Sequence, residues 1–377
     1  MPNRRIHLAP PSVGALEMES VKAALESGWV APVGPELNGF ESDISAYTGI
    51  KAAVALSSGT AALHLGLLAV GIKPDDEVVC PTLTFAATAF AIVHAGATPV
   101  FLDSEETSWN LDPHLLNEFL TARAARGQLP RAVIAVDLFG RTSDYDALSE
   151  ITARFELPLI CDAAESLGST HGDRSAGTFG KLGVFSFNGN KIITSSGGGM
   201  LVSDDADIVD KVRYWSTQSR EDLPWYEHKE IGFNYRMSNI VAALGRAQLA
   251  RLPEIIDARR RVSSWYQEEL GSLDGVRVSG DPPWGKSNHW LTTVTLDSIA
   301  LPNAPTRIRE ALAAQDIECR PIWKPMHQQP VFVGRESHLT GAADRLFAEG
   351  LCLPSGFDLT RTDVARVCRT ILDTLGP

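Results

Sequence analysis

Residues 52–70 read Ala-Ala-Val-Ala-Leu-Ser-Ser-Gly-Thr-Ala-Ala-Leu-His-Leu-Gly-Leu-Leu-Ala-Val. The first five residues form a short unbroken apolar run, the pattern of a strand buried on both faces. Ser57-Ser58-Gly59 is a turn, and residues 60–70 carry the spacing of an amphipathic helix. The same rhythm continues to about residue 205, with strands expected at 77–80, 98–102, 132–136, 157–161, 184–187 and 200–202. Helical patterns at 84–94, 113–125 and 143–155 fall between them. Alternation of this kind predicts an α/β fold: a mostly parallel central sheet with flanking helices. In such sheets ligands bind at the carboxyl ends of the strands.

Further along, residues 238–249 read as a helix, and Pro253 opens a longer one reaching about residue 270. The stretch 271–285 is rich in Gly and Pro and marks a change of structure. A strand at 290–296, a helix at 305–315, a short strand near 317–320 and two terminal helices are expected after it. The organisation predicted is a large α/β domain over residues 1–250 and a smaller C-terminal α+β domain over 251–377. A chain of 377 residues suits two such domains.

Composition narrows the function. Hydrophobic residues make up 44% and charged residues 21%, an ordinary globular mix. A formal net charge of −12 argues against a nucleic-acid partner, because phosphate backbones reward clustered Lys and Arg. No apolar stretch approaches the roughly 20 residues of a spanning helix, so no membrane attachment is expected. Arg4 and Arg5 are not followed by the apolar core of a signal peptide. Cys80, Cys161, Cys319, Cys352 and Cys368 are scattered without metal-type spacing, which predicts no metal site and reduced thiols in the cytoplasm.

Three segments at expected strand ends carry chemistry. In Ser57-Ser58-Gly59-Thr60-Ala61, Gly59 permits a tight turn, and the first helical turn offers free amides and a favourable dipole to an anion. An ordinary helix cap explains the same residues. In Cys161-Asp162-Ala163-Ala164-Glu165 an acid ends a buried strand, which is costly without a cationic partner. A protonated pyridinium nitrogen is such a partner and acts as an electron sink; a helix cap or a core arginine are the alternatives. The third segment is Phe185-Ser186-Phe187-Asn188-Gly189-Asn190-Lys191, followed by Ile192-Ile193-Thr194-Ser195-Ser196-Gly197-Gly198-Gly199. Its lysine lies in a polar turn between two strands, and as a neutral amine it forms a Schiff base with an aldehyde.

Anion cradle, acid and lysine in that order closely resemble the fold-type-I aminotransferases of the DegT type, which aminate nucleotide-linked sugars. The resemblance runs from Gly28-Trp29-Val30 to Pro354-Ser355. It implies pyridoxal 5′-phosphate as cofactor, bound by Lys191 through a Schiff base, with Asp162 on the pyridine nitrogen. Gly59, Thr60, the Ala61 amide and Ser186 match the phosphate site, and Phe85 matches the aromatic residue that stacks on the ring. Glu165 falls near the phenolic oxygen, where several relatives carry Gln or His. Glu230-Ile231-Gly232-Phe233-Asn234-Tyr235-Arg236-Met237-Ser238-Asn239 matches a segment that reaches the partner subunit's cofactor, which implies a homodimer completed by Asn234. An ordinary loop leading into a helix explains that segment equally well.

On the substrate side, Trp225-Tyr226-Glu227-His228 and Trp323-Lys324-Pro325-Met326-His327 mix aromatic and titratable groups. Tyr226, His228, Lys324 and His327 are the candidate contacts to a sugar and a diphosphate. The resemblance implies an amino-acid donor, glutamate, and a nucleotide-linked keto-sugar acceptor. Relatives that aminate C3 tend to carry a Pro-Gly-Lys-Asn-type turn, whereas Asn188–Thr194 is similar to the C4-aminating branch. Residues 320–330 resemble its bacillosamine-pathway members, which points to a UDP-linked 4-keto-6-deoxy-N-acetylglucosamine. Rival readings are a PLP enzyme that modifies a keto-sugar otherwise, and a non-catalytic sensor on the same fold. Retention of Lys191 weighs against the dehydratase variant, which replaces that lysine.

Overall fold

The apolar runs form strands, and the computed structural model describes residues 4–376. In chain order the first nine strands are β1 (Ala52–Leu56), β2 (Glu77–Pro81), β3 (Thr98–Leu102), β4 (Ala132–Val136), β5 (Leu159–Asp162), β6 (Thr170–His171), β7 (Arg174–Ser175), β8 (Leu182–Ser186) and β9 (Gly199–Ser203). The remaining six are β10 (Val276–Val278), β11 (Gly285–Lys286), β12 (Thr292–Leu296), β13 (Arg320–Pro321), β14 (Ser337–His338) and β15 (Gly350–Leu353).

The large sheet has eight strands in the order β1-β9-β8-β5-β4-β2-β3-β14. Every pairing is parallel except those of β9, which runs antiparallel to both β1 and β8. Antiparallel neighbours need no crossover helix, so the β8–β9 connection is free to be an irregular loop, and it carries Lys191. Successive residues along the strands enter different cores. Val78, Cys80, Phe101, Ile134 and Ile160 pack on one face, while Val79, Val100, Val133, Ala135 and Cys161 pack on the other. Two-sided burial is the reason these strands show no polar alternation.

Ala15–Glu26 and Pro35–Thr48 form two helices that the sequence reading did not place. Leu37, Phe40 and Ile44 of the second share a core with Ala242 and Leu249 of the helix Asn239–Ala250. The C-terminal sheet is antiparallel, ordered β10-β12-β15-β13. It packs with the helices Leu252–Leu270, Ala304–Ala314 and Arg361–Leu375. β15 occupies a stretch expected to belong to terminal helices; a four-residue apolar run after a helix carries no period of its own. The strand expected at 290–296 starts at Thr292, which leaves Trp290 and Leu291 in the approach to it.

The division expected at residue 250 is crossed from both sides. Ile6 packs in the C-terminal core, and Leu8 N–H donates to Glu318 Oε2 at 3.0 Å. In return β14 adds a strand to the large sheet, beside β3. Among the described residues no helix is long and apolar enough to cross a membrane.

Candidate active site

The carboxyl ends of β1, β2, β4, β5 and β8 converge on a cavity of about 360 Å³. Its first wall is the turn Ser57–Thr60, where β1 passes into the helix Gly59–Ala69. The N–H groups of a first helical turn have no intrahelical acceptors and favour an anion. Ser186 at the end of β8 faces this turn: a Cβ built on Gly59 would lie 3.1 Å from Ser186 Cβ. Gly199 at the start of β9 is required by contact, since a Cβ there would sit 2.5 Å from Gly59 N and from Ser58 C. The Ala61 amide, expected at the phosphate, instead donates to Ser58 Oγ at 3.0 Å. Ser58 is the helix N-cap, and a cap takes the nearest free N–H by geometry.

Asp162 closes β5 on the floor of the cavity and is only 4% exposed. Thr88 Oγ1 donates to Oδ2 at 2.7 Å, the Ala164 amide approaches Oδ1 at 3.3 Å, and Thr84 Oγ1 lies 2.8 Å from Thr88 Oγ1. Burial pushes the Asp162 carboxyl above its ordinary range, against the pull of Thr88, Ala164 and the Lys191 charge. No core arginine pairs with it among the described residues. A buried carboxylate in a ligand cavity with no ion-pair partner fits a bound cation.

Lys191 projects from the β8–β9 loop with 11% of its side chain exposed. Its Nζ lies 3.3 Å from Glu165 Oε1 and 4.3 Å from the centroid of the Trp290 ring. Glu165 is buried, and its other oxygen accepts the Phe139 amide at 2.7 Å. Phe85 stands at the mouth, 54% exposed, its ring edge-on to Trp323 at 5.9 Å. Gly59, Thr60, Phe85, Asp162, Glu165, Ser186 and Lys191 therefore line one cavity, while Ala61 does not.

The four substrate-side candidates fall elsewhere within their own chain. Tyr226 is 77% exposed, with the Arg220 guanidinium 4.3 Å over its ring, and His228 Nδ1 lies 2.9 Å from Gln218 O. Both ring nitrogens of His327 are engaged: Nδ1 meets Thr82 Oγ1 at 2.7 Å and Nε2 meets Asp344 Oδ1 at 2.9 Å. Lys324 is exposed, and its carbonyl accepts from Gln329 Nε2 at 3.2 Å. Aromatic and basic residues in a loop state composition, not direction, and within one chain none of these four lines the cavity. Asn234 is exposed and bridged to Thr217, outside the cavity of its own chain. The sequence reading missed Thr88 and Trp290. A Thr pair four apart, Thr84 before the helix Ala86–His94 and Thr88 within it, was the available signal for the first; no spacing links position 290 to 191.

The residues fit pyridoxal 5′-phosphate on the chemistry of the donor set. A helix N-terminus with serines suits the phosphate, an unpaired buried acid suits the pyridine nitrogen, and an enclosed lysine suits the aldehyde. Comparison with known proteins agrees. Residues 11–372 match the family described as DegT/DnrJ/EryC1/StrS aminotransferase. EpsN of Bacillus subtilis (strain 168), whose name assigns it provisionally to the pyridoxal phosphate-dependent aminotransferases, is 44% identical over 98% of this chain and 96% of its own length. The GDP-perosamine synthase of Caulobacter vibrioides is 37% identical over 96% of each chain. Among solved structures, DesI in the presence of its TDP-sugar product superposes with a TM-score of 0.89 and 32% identity, covering 98% of this chain and 92% of DesI. The chain belongs to the DegT/DnrJ/EryC1/StrS aminotransferase family and is a pyridoxal-phosphate-dependent sugar aminotransferase.

Proposed function

We propose that the enzyme transfers an amino group from an amino acid, glutamate in our reading, to C4 of a nucleotide-linked 4-keto-6-deoxy sugar, and that it works as a homodimer. The observation that carries the amino-transfer part is the single cavity shared by Lys191, Glu165, Asp162 and the Ser57–Thr60 turn. The C4 position draws support from relatives named GDP-perosamine synthase, at 33–37% identity over 96% of this chain. Residues 320–330 favour a UDP-linked acceptor by resemblance, whereas those names and the DesI structure carry GDP and TDP. A nucleoside-diphosphate sugar is the part common to all.

In this mechanism the chain's residues have separable tasks. The bound cofactor supplies an electron sink for the reacting carbon. Ser57, Ser58, Thr60 and Ser186 would hold its anionic group, and Phe85 would lie against its ring. Asp162, once ionised opposite the pyridine nitrogen, would hold a proton on it. Lys191 Nζ would take the proton from the donor's α-carbon as general base and, in the second half-reaction, deliver a proton to the former carbonyl carbon of the sugar as general acid. Glu165 Oε1 orients that amine, and Phe85, Trp290 and Trp323 limit water at the site. All five cysteines are free and buried, which suits a reducing compartment, and we place the enzyme in the cytoplasm.

The test is product analysis with glutamate as donor and UDP-, GDP- and dTDP-linked 4-keto-6-deoxy and 3-keto sugars as acceptors. A kcat/KM at least about tenfold higher for a 4-keto acceptor is expected. Preference for a 3-keto sugar, or for a free sugar without nucleotide, overturns the reading.

A further inference from the structure

Two groups lie nearest Lys191 Nζ in the cavity, with the Phe85 ring farther off at 5.9 Å, and one short segment outside the large sheet's strands controls both of the near ones. Trp290 places its ring 4.3 Å from Nζ and is 1% exposed. Its indole Nε1–H donates to Asn190 O at 2.6 Å, the carbonyl of the residue before the lysine. The backbone that carries the ring is held in turn, because Trp290 N–H donates to Asn288 Oδ1 at 2.8 Å and Trp290 O accepts from the buried Arg259 guanidinium at 3.3 Å. Asn288 also reaches the second neighbour of the lysine: its Nδ2 donates to Glu165 O at 2.9 Å and to Leu167 O at 3.0 Å.

Face contact with an aromatic ring favours an ammonium group and restricts where it sits, most strongly where water is excluded. The hydrogen bond to Asn190 holds the lysine's own backbone against the same ring. From this geometry we propose that Trp290 is a positioning residue for Lys191: its ring sets the place of the amine, and its N–H sets the loop that carries it. The proposal deepens the reading of Lys191 as the proton carrier and rests on it. Trp290 acts through the lysine and touches neither substrate in this role.

The experiment compares Trp290→Leu and Trp290→Phe holoenzymes with wild type. Phenylalanine keeps a ring face and loses the N–H; leucine loses both. Three readouts are used: the rate of bleaching of the cofactor's visible-edge band by saturating glutamate, the glutamate concentration at half-maximal rate, and the circular dichroism of that band relative to its absorbance in the resting protein. Trp290→Leu is expected to lose at least about tenfold in rate, the scale of a desolvated cation–π contact, with half-saturation changed by less than about threefold. Its relative dichroism is expected to fall, because the lysine no longer holds the chromophore in one geometry, and Trp290→Phe is expected to recover part of both losses.

Rates within twofold of wild type for Trp290→Leu overturn the proposal. So does a Trp290→Phe protein that unfolds at the wild-type temperature yet is as impaired in rate and dichroism as Trp290→Leu. Loss of bleaching in the wild type itself would instead mark failure of the glutamate reading, so the two failures are distinguishable.

Discussion

At the residue, the cavity sets a charge problem whose sign is open to measurement. Asp162 is buried without an ion pair, and desolvation raises its pKa above that of the unfolded chain. A raised folded value means that its contribution to stability is full below the ordinary carboxylate range and is lost as pH rises through the shifted value. Without cofactor, Asp162→Asn is therefore expected to melt at or above the wild-type temperature at neutral pH, because an amide avoids burying that charge. With cofactor the order reverses, since the amide cannot hold a proton on the ring nitrogen, and turnover is expected to fall at least about 100-fold. Calorimetry of both forms, with transamination rates, checks this. An Asn variant within a few-fold of wild-type turnover removes the electron-sink role from Asp162.

Among elements, the meeting of β9 with the β1 turn decides whether an anion site exists. Gly199 lies against the backbone of Ser58 and Gly59, where no flexible side chain can yield. Gly199→Ala is expected to push β9 off the turn, destabilising the fold by about 1–3 kcal/mol and weakening cofactor binding. Gly197→Ala is the control, since a Cβ there meets nothing within 4 Å. Unfolding midpoints and cofactor Kd values for the pair decide it. A Gly199→Ala protein that binds cofactor within twofold of wild type shows that the turn tolerates the displacement.

For the whole molecule, the segment around Asn234 is the part that a single chain leaves unexplained. Ile231 is 91% exposed, with Trp225 at 60% and Tyr226 at 77%. Apolar exposure of this kind in one region marks an interaction surface. If Asn234 of the partner subunit completes each site, Lys191→Ala and Asn234→Asp proteins are each impaired alone, yet activity returns when they are mixed and allowed to exchange subunits. The mixed dimer then holds one site with both native residues. An active monomer by ultracentrifugation, or no recovery on mixing, sinks the shared site.

The features legible in the residues alone are local or ordered along the chain. Buried strands such as Ala132–Val136 announce themselves because two-sided burial selects unbroken apolar runs. The cradle, Asp162 and Lys191 stood out because each lies at or just past a strand end, and their order along the chain narrowed what an ordinary cap or core pair would explain one at a time. The tertiary structure alone decided direction and company. It turned His327 towards Thr82 and Asp344, tied the Ala61 amide to its own cap, carried β14 back to the large sheet, and set Trp290 against Lys191. The physical reason is that composition and period fix which face of an element is buried. The partner of a given side chain depends on where distant segments cross, and that is fixed only when the whole core packs.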